Sequence, residues 1–83
     1  TVSQNYPNPA NGMTSINVTL TKASSVVLQV TDIVGKTVYT ESFRGFGAGL
    51  NTINLNTANF ATGVYNYSII TNEAKVTKQM IVR

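Results

Sequence analysis

Apolar and polar residues alternate along most of this chain. Thr14 to Leu20 sets Ile16, Val18 and Leu20 on one side and Ser15, Asn17 and Thr19 on the other. A period of two marks a strand with one buried face. Ser25 to Asp32 repeats it, with Val26, Leu28 and Val30 facing one way and Gln29 and Thr31 the other. Asp32-Ile33-Val34-Gly35-Lys36 then reads as a hairpin loop, in which Gly35 can supply a positive φ. Lys36 to Phe43 is a third strand, rich in Thr, Val, Tyr and Phe.

Three glycines between Gly45 and Gly49 favour a loop. Leu50 to Leu55 is a fourth strand, with Ile53 and Leu55 toward the core. Asn56 to Thr62 is a polar connection whose Phe60 plugs one end of that core. Gly63 to Thr71 is the fifth strand. Asn72-Glu73-Ala74 turns into the last, Lys75 to Val82. Short strands between turn signals predict an all-β, immunoglobulin-like antiparallel β-sandwich of six or seven strands. Thr1 to Gln4 would supply the seventh. The expected core is Ile16, Val18, Leu28, Val30, Val38, Ile53, Leu55, Phe60 and Ile69.

The last strand carries its own expectation. Val76, Lys78, Met80 and Val82 share a face that should pack inward, with the Lys78 stem lying along the sheet. Thr77, Gln79 and Ile81 face the other way. At a sheet edge such a strand presents unpaired backbone groups, which a partner can use by adding a strand.

Composition narrows the function classes. At 83 residues the chain is one domain, spanning 1–83. It has no cysteine and no histidine, and its only acids are Asp32, Glu41 and Glu73, far apart in sequence. No nucleophile–base pair and no metal-ligand cluster can be drawn, which predicts no enzyme, no metal and no cofactor. The net charge of +3 comes from scattered cations, so no nucleic-acid partner is expected. No apolar run is long enough to span a bilayer as a helix. Thr1 is not an initiator and the chain does not open on a charged-then-apolar signal peptide, so it reads as cut from the end of a larger secreted protein, whose export signal would lie on the missing part.

Two local motifs remain. Tyr6-Pro7-Asn8-Pro9 fixes φ twice and pushes Asn8 out of the α region, predicting a stiff, extended entry into the first strand. Gly63-Val64-Tyr65 opens a strand after a polar turn, and Gly63 can allow a bulge there. Tyr65 and Tyr67 fall on one strand face. Packing inside the sandwich or a sugar-stacking platform would both fit that placement.

Four stretches, in order, resemble the C-terminal sorting domains of type IX secretion cargo from Bacteroidetes. They are Gln4-Asn5-Tyr6-Pro7-Asn8-Pro9, the hairpin Val30 to Val38 around Gly35, Leu55 to Tyr65 with its Gly-x-Tyr, and Lys78-Gln79-Met80-Ile81-Val82. In the last, Met80-Ile81 stands where that family has Leu-Val. The resemblance implies a non-catalytic secretion signal attached to an upstream cargo domain. It implies passage through the periplasm, then release or display at the cell surface. The implied partners are the outer-membrane type IX translocon, its shuttle protein and a sortase-like peptidase that removes the domain. Carried over by position, the recognition residues are Pro7, Asn8, Pro9, Gly35, Gly63, Tyr65, Lys78, Met80, Ile81 and Val82. A weak dimer is a further expectation. The alternative is an immunoglobulin-like spacer or a carbohydrate-binding module of a secreted enzyme. The opening motif is also similar to that of domains related to the flagellar hook-capping protein, which carry a Trp where this chain has Ile53-Asn54-Leu55.

Overall fold

The alternation builds six strands: β1 (Met13–Leu20), β2 (Ser24–Asp32), β3 (Thr37–Phe46), β4 (Gly49–Asn56), β5 (Gly63–Ile70) and β6 (Lys75–Val82). The computed structural model describes residues 1–83. Two antiparallel sheets pack face to face. One pairs β1 with β4, and the other runs in the order β3-β2-β5-β6. Buried Ile16, Val18, Ile53 and Leu55 of the first meet Val26, Leu28, Val30, Tyr65, Tyr67, Ile69, Met80 and Val82 of the second. This is the immunoglobulin-like sandwich that the spacing predicts.

Residues 1–6 lie along β1 and touch it through two isolated bridges, so the seventh strand expected over Thr1 to Gln4 does not form as a continuous element. Val2 bridges Val18 and Tyr6 bridges Ser15. The amide of Ser3 bonds the Asn17 carbonyl at 2.9 Å, and Tyr6 and Ser15 exchange both of theirs at 2.8 Å. The chain then crosses to the other sheet, where Ala10 pairs in parallel with Val82. The crossing is Tyr6-Pro7-Asn8-Pro9. It is a run of bends and not the extended entry expected from its prolines. The Pro7 carbonyl is drawn inward by Asn5 and Thr14, and that contact decides the path. Both X-Pro bonds here are cis.

β3 corrects a second expectation. Val38 points to solvent and is 39% exposed. The inward positions belong to Tyr39, Glu41 and Phe43, which stand opposite Val30, Leu28 and Val26. β3 is an edge strand, so its inner face is only partly roofed, and an acid can occupy it. Tyr39 and Phe43 pack on the core from that edge, as does Phe60 from its connection. β3 also continues through Gly45 to Phe46, past the expected break.

Candidate functional site

Strand directions carry most of the singled-out residues to one end of the sandwich. Asp32 closes β2 opposite Tyr65. Tyr65 lies opposite Met80, and Gly63 opposite Val82. The hairpin at Gly35, the start of β5 and the finish of β6 therefore share an end. The crossing segment joins them there through Ala10 and Val82. Lys78 sits further along, opposite Tyr67.

The crossing segment is fixed by a buried polar knot. Asn5 and Thr14 are 2% and 1% exposed. The Asn5 Nδ2 group donates to the Pro7 carbonyl at 3.2 Å and to Thr14 Oγ1 at 3.1 Å. Thr14 Oγ1 in turn donates to the same carbonyl at 2.9 Å. Gln4 Nε2 closes the set by donating to Asn5 Oδ1 at 2.6 Å. No buried side-chain polar atom of the protein lacks a partner. A fully satisfied network of this kind rigidifies the backbone it holds.

The knot aims the segment at the edge of β6. Asn8 Oδ1 accepts from the Ile81 amide at 3.1 Å. The Ala10 amide donates to the Ile81 carbonyl at 2.7 Å, and the Arg83 amide donates to the Ala10 carbonyl at 2.9 Å. Gln4 Nε2 also reaches the Gln79 carbonyl at 2.7 Å. The opening and closing motifs, which the sequence offers as separate features, are one structure.

The hairpin beside them is built on Asp32. Its Oδ1 accepts from the amides of Val34 at 3.0 Å and Lys36 at 2.9 Å. The Gly35 amide bonds the Asp32 carbonyl at 3.0 Å. Gly35 has φ +90°, as the turn requires. The loop holds Ile33 and Val34 out at its tip, and Val64 and Ile81, paired across β5 and β6, are exposed on the adjoining strands.

The recognition residues inferred from sequence divide by burial. Pro7, Asn8, Gly35 and Ile81 are exposed, and Pro9, Gly63 and Lys78 are half-buried. Tyr65, Met80 and Val82 are buried in the core. Tyr65 donates its hydroxyl to the Ala61 carbonyl at 2.6 Å, and Tyr67 donates to Ser3 at 2.7 Å. Neither ring can serve as a sugar-stacking platform. Burial pushes the Tyr67 phenol above its usual pKa, against a smaller opposing effect from the Asn5 backbone. The Tyr39 phenol is raised as well, first by its 2.7 Å hydrogen bond to Glu41.

Sequence reasoning leaves Asn5, Thr14 and Ala10 out of the site. Two are short polar residues and one is a single alanine, all common on surfaces. Nothing local signals their burial. A groove of about 490 Å³ runs between Tyr39, Phe60 and Tyr65 at this end. Three of its polar groups are spent on the fold itself: Asp32 on its hairpin, Asn56 on the Ala58 amide and Tyr65 on Ala61. No group of three or more candidate metal ligands exists.

The chain's likeness to known proteins lies in its sequence family. No curated protein and no solved structure matches it. One family model does, over residues 4–83, and its description is secretion system C-terminal sorting domain.

Proposed function

The chain belongs to the secretion system C-terminal sorting domains, the sorting signals of type IX secretion, and from that membership we propose that the motif-bearing end of the sandwich is the surface the translocon reads. The family is non-catalytic and implies export, followed by secretion or display at the cell surface. The observation that carries the proposal is the meeting of the two motifs. Asn8 and Ile81 are 73 positions apart and share a hydrogen bond. Pro7, Asn8, Pro9, Gly35, Gly63, Lys78 and Ile81 offer the contacts. Tyr65, Met80 and Val82 hold that surface in shape from within.

The partners are the outer-membrane translocon and its shuttle protein. Cargo would join at Thr1, whose amino group bonds the Thr19 carbonyl at the opposite end of the sandwich. A domain joined there leaves the motif end uncovered. The cargo crosses the periplasm with the signal attached, and a sortase-like peptidase then separates the two.

The test is export of a periplasmic reporter fused to residues 1–83 in a host with type IX secretion. Ile81→Asp changes an exposed side chain, so the domain should melt as before while the reporter stays in the periplasm. Leu50→Asp, exposed at the far end, should leave export intact. Equal export of the Ile81 variant and the parent would show that the translocon reads something else. A drop in the reporter's mass on leaving the cell would report the peptidase step.

A further inference from the structure

We propose that the uncovered half of the β6 edge accepts an extended acidic segment of a partner as an added strand. This rests on the docking reading above and gives one of the contacts a chemistry.

β6 ends the sheet order β3-β2-β5-β6, so one side of its backbone faces no strand. Ile81 turns its amide and carbonyl to that side, toward Asn8 and Ala10. Successive residues of an antiparallel pair alternate between facing the partner strand and facing away. Gln79, Thr77 and Lys75 therefore direct their backbone groups outward too. The crossing segment covers only the far part of this row. Beyond the Gln79 carbonyl, which Gln4 occupies, its reach ends. The Gln79 amide and both backbone groups of Thr77 and Lys75 remain as a template for pairing.

This edge differs from the other edges. β3 pairs with β2 through two register shifts, and such irregularities guard an edge against pairing. β6 keeps register with β5 over all eight residues. β4 is also regular against β1, but it carries no charge with which to select a partner.

Charge decides the occupant. β6 carries Lys75 and Lys78, with Arg83 just beyond, and neither β5 nor β6 contains an acid. The nearby Glu73 is engaged with Lys22 at 3.3 Å. Two copies joined through β6 would set these cations against one another with nothing to offset them. The lysines thus disfavour a second copy of this chain and favour a strand bearing Asp or Glu.

The test uses the full 83-residue chain, labelled for amide exchange by NMR. Two synthetic strand-forming peptides serve as probes. They share one apolar alternation and differ only in carrying Glu or Lys at the polar positions. The acidic peptide should slow exchange at the Lys75, Thr77 and Gln79 amides, and raised salt should weaken it. Lys75→Glu with Lys78→Glu should lower its affinity about tenfold, ~1.4 kcal/mol, and transfer the preference to the basic peptide. Gln79→Pro removes an outward amide that β5 does not use, keeps the carbonyl that Gln4 holds and loses no side-chain hydrogen bond, so binding should vanish while the melting temperature holds. The proposal is overturned if the acidic peptide protects none of these amides, in which case the lysines only guard the edge. It is also overturned if both peptides bind alike, or if the free protein sediments as a dimer with those amides already protected.

Discussion

The two ends of the sandwich are held by different kinds of contact. At the end containing Thr21–Ala23, Gly47–Ala48 and Thr71–Ala74, the side-chain hydrogen bonds of the turns are local. Thr71 Oγ1 accepts from the amides of Glu73 at 3.3 Å and Ala74 at 3.2 Å. Asn51 Nδ2 donates to the Gly47 carbonyl at 2.8 Å. The Lys22–Glu73 ion pair does span the chain, but on side chains 78% and 67% exposed, where such a pair contributes little. At the other end, beside the local bonds of Asp32 in its hairpin, several bonds span the chain. Thr57 Oγ1 donates to the Gly12 carbonyl at 2.6 Å, Gln4 reaches Gln79, and Asn8 reaches Ile81. Local bonds shape a turn wherever that turn happens to sit. Long-range bonds fix one segment against another and so present a surface of constant shape, which a signal needs.

The contrast can be broken most forcefully at Met80. Its side chain is fully buried at the motif end, so Met80→Ala should cost about 2–5 kcal/mol in chemical denaturation. Leu50→Ala, at the far end and 66% exposed, should stay within about 0.5 kcal/mol. Similar losses would mean that the ends are equally built.

Next comes the polar knot. Thr14→Val removes the hydroxyl that serves both Asn5 and the Pro7 carbonyl. Leaving buried polar groups short should cost about 1–3 kcal/mol. Thr71→Val loses only exposed local bonds and should cost less, by the same assay.

Gly35→Val then tests the hairpin. Its φ of +90° suits glycine and strains a β-branched residue, so about 1–2 kcal/mol should be lost. Thr40→Val, on an exposed strand face, should leave the melting temperature nearly unchanged.

Tyr67 gives a pH signature. Its folded pKa is raised above the ordinary 10.0. The stability this represents is complete below that ordinary value and is lost as pH rises through the folded one. Stability measured by denaturant should fall in alkali, and Tyr67→Phe should remove part of that fall. The smallest effect belongs to Glu73→Gln, where loss of the exposed ion pair should change stability by no more than about 0.5 kcal/mol.

The sandwich was legible wherever a strand had one face buried and one wet. Ile16 and Val18, Val26 to Val30, and Ile53 with Leu55 alternate in sequence and in space. β3 resisted the same reading because its phase is ambiguous. Thr37-Val38-Tyr39-Thr40 offers an apolar residue at either parity, and Glu41 at an inward position hides the true one. The candidate site was legible as motifs but not as an assembly. Nothing in Tyr6-Pro7-Asn8-Pro9 says that its asparagine will meet Ile81. That contact depends on the crossing between sheets, which Asn5 and Thr14 determine from positions that look like surface. Burial also redistributes the roles: Tyr65, Met80 and Val82 lie beneath the surface that Asn8 and Ile81 help to form.

The bond between Asn8 and Ile81 has a consequence for the order of events during synthesis. The ribosome delivers residue 8 long before residue 81, and the pairing waits for the 73 positions between them. Contacts at such separation form late, because chain closure must precede them. Until β6 is made, β5 has an open edge and Asn8 and Ala10 have no strand to grip. A chain cut short within β6 leaves that grip empty. The composite end therefore exists only on a molecule whose β6 has been made and has docked.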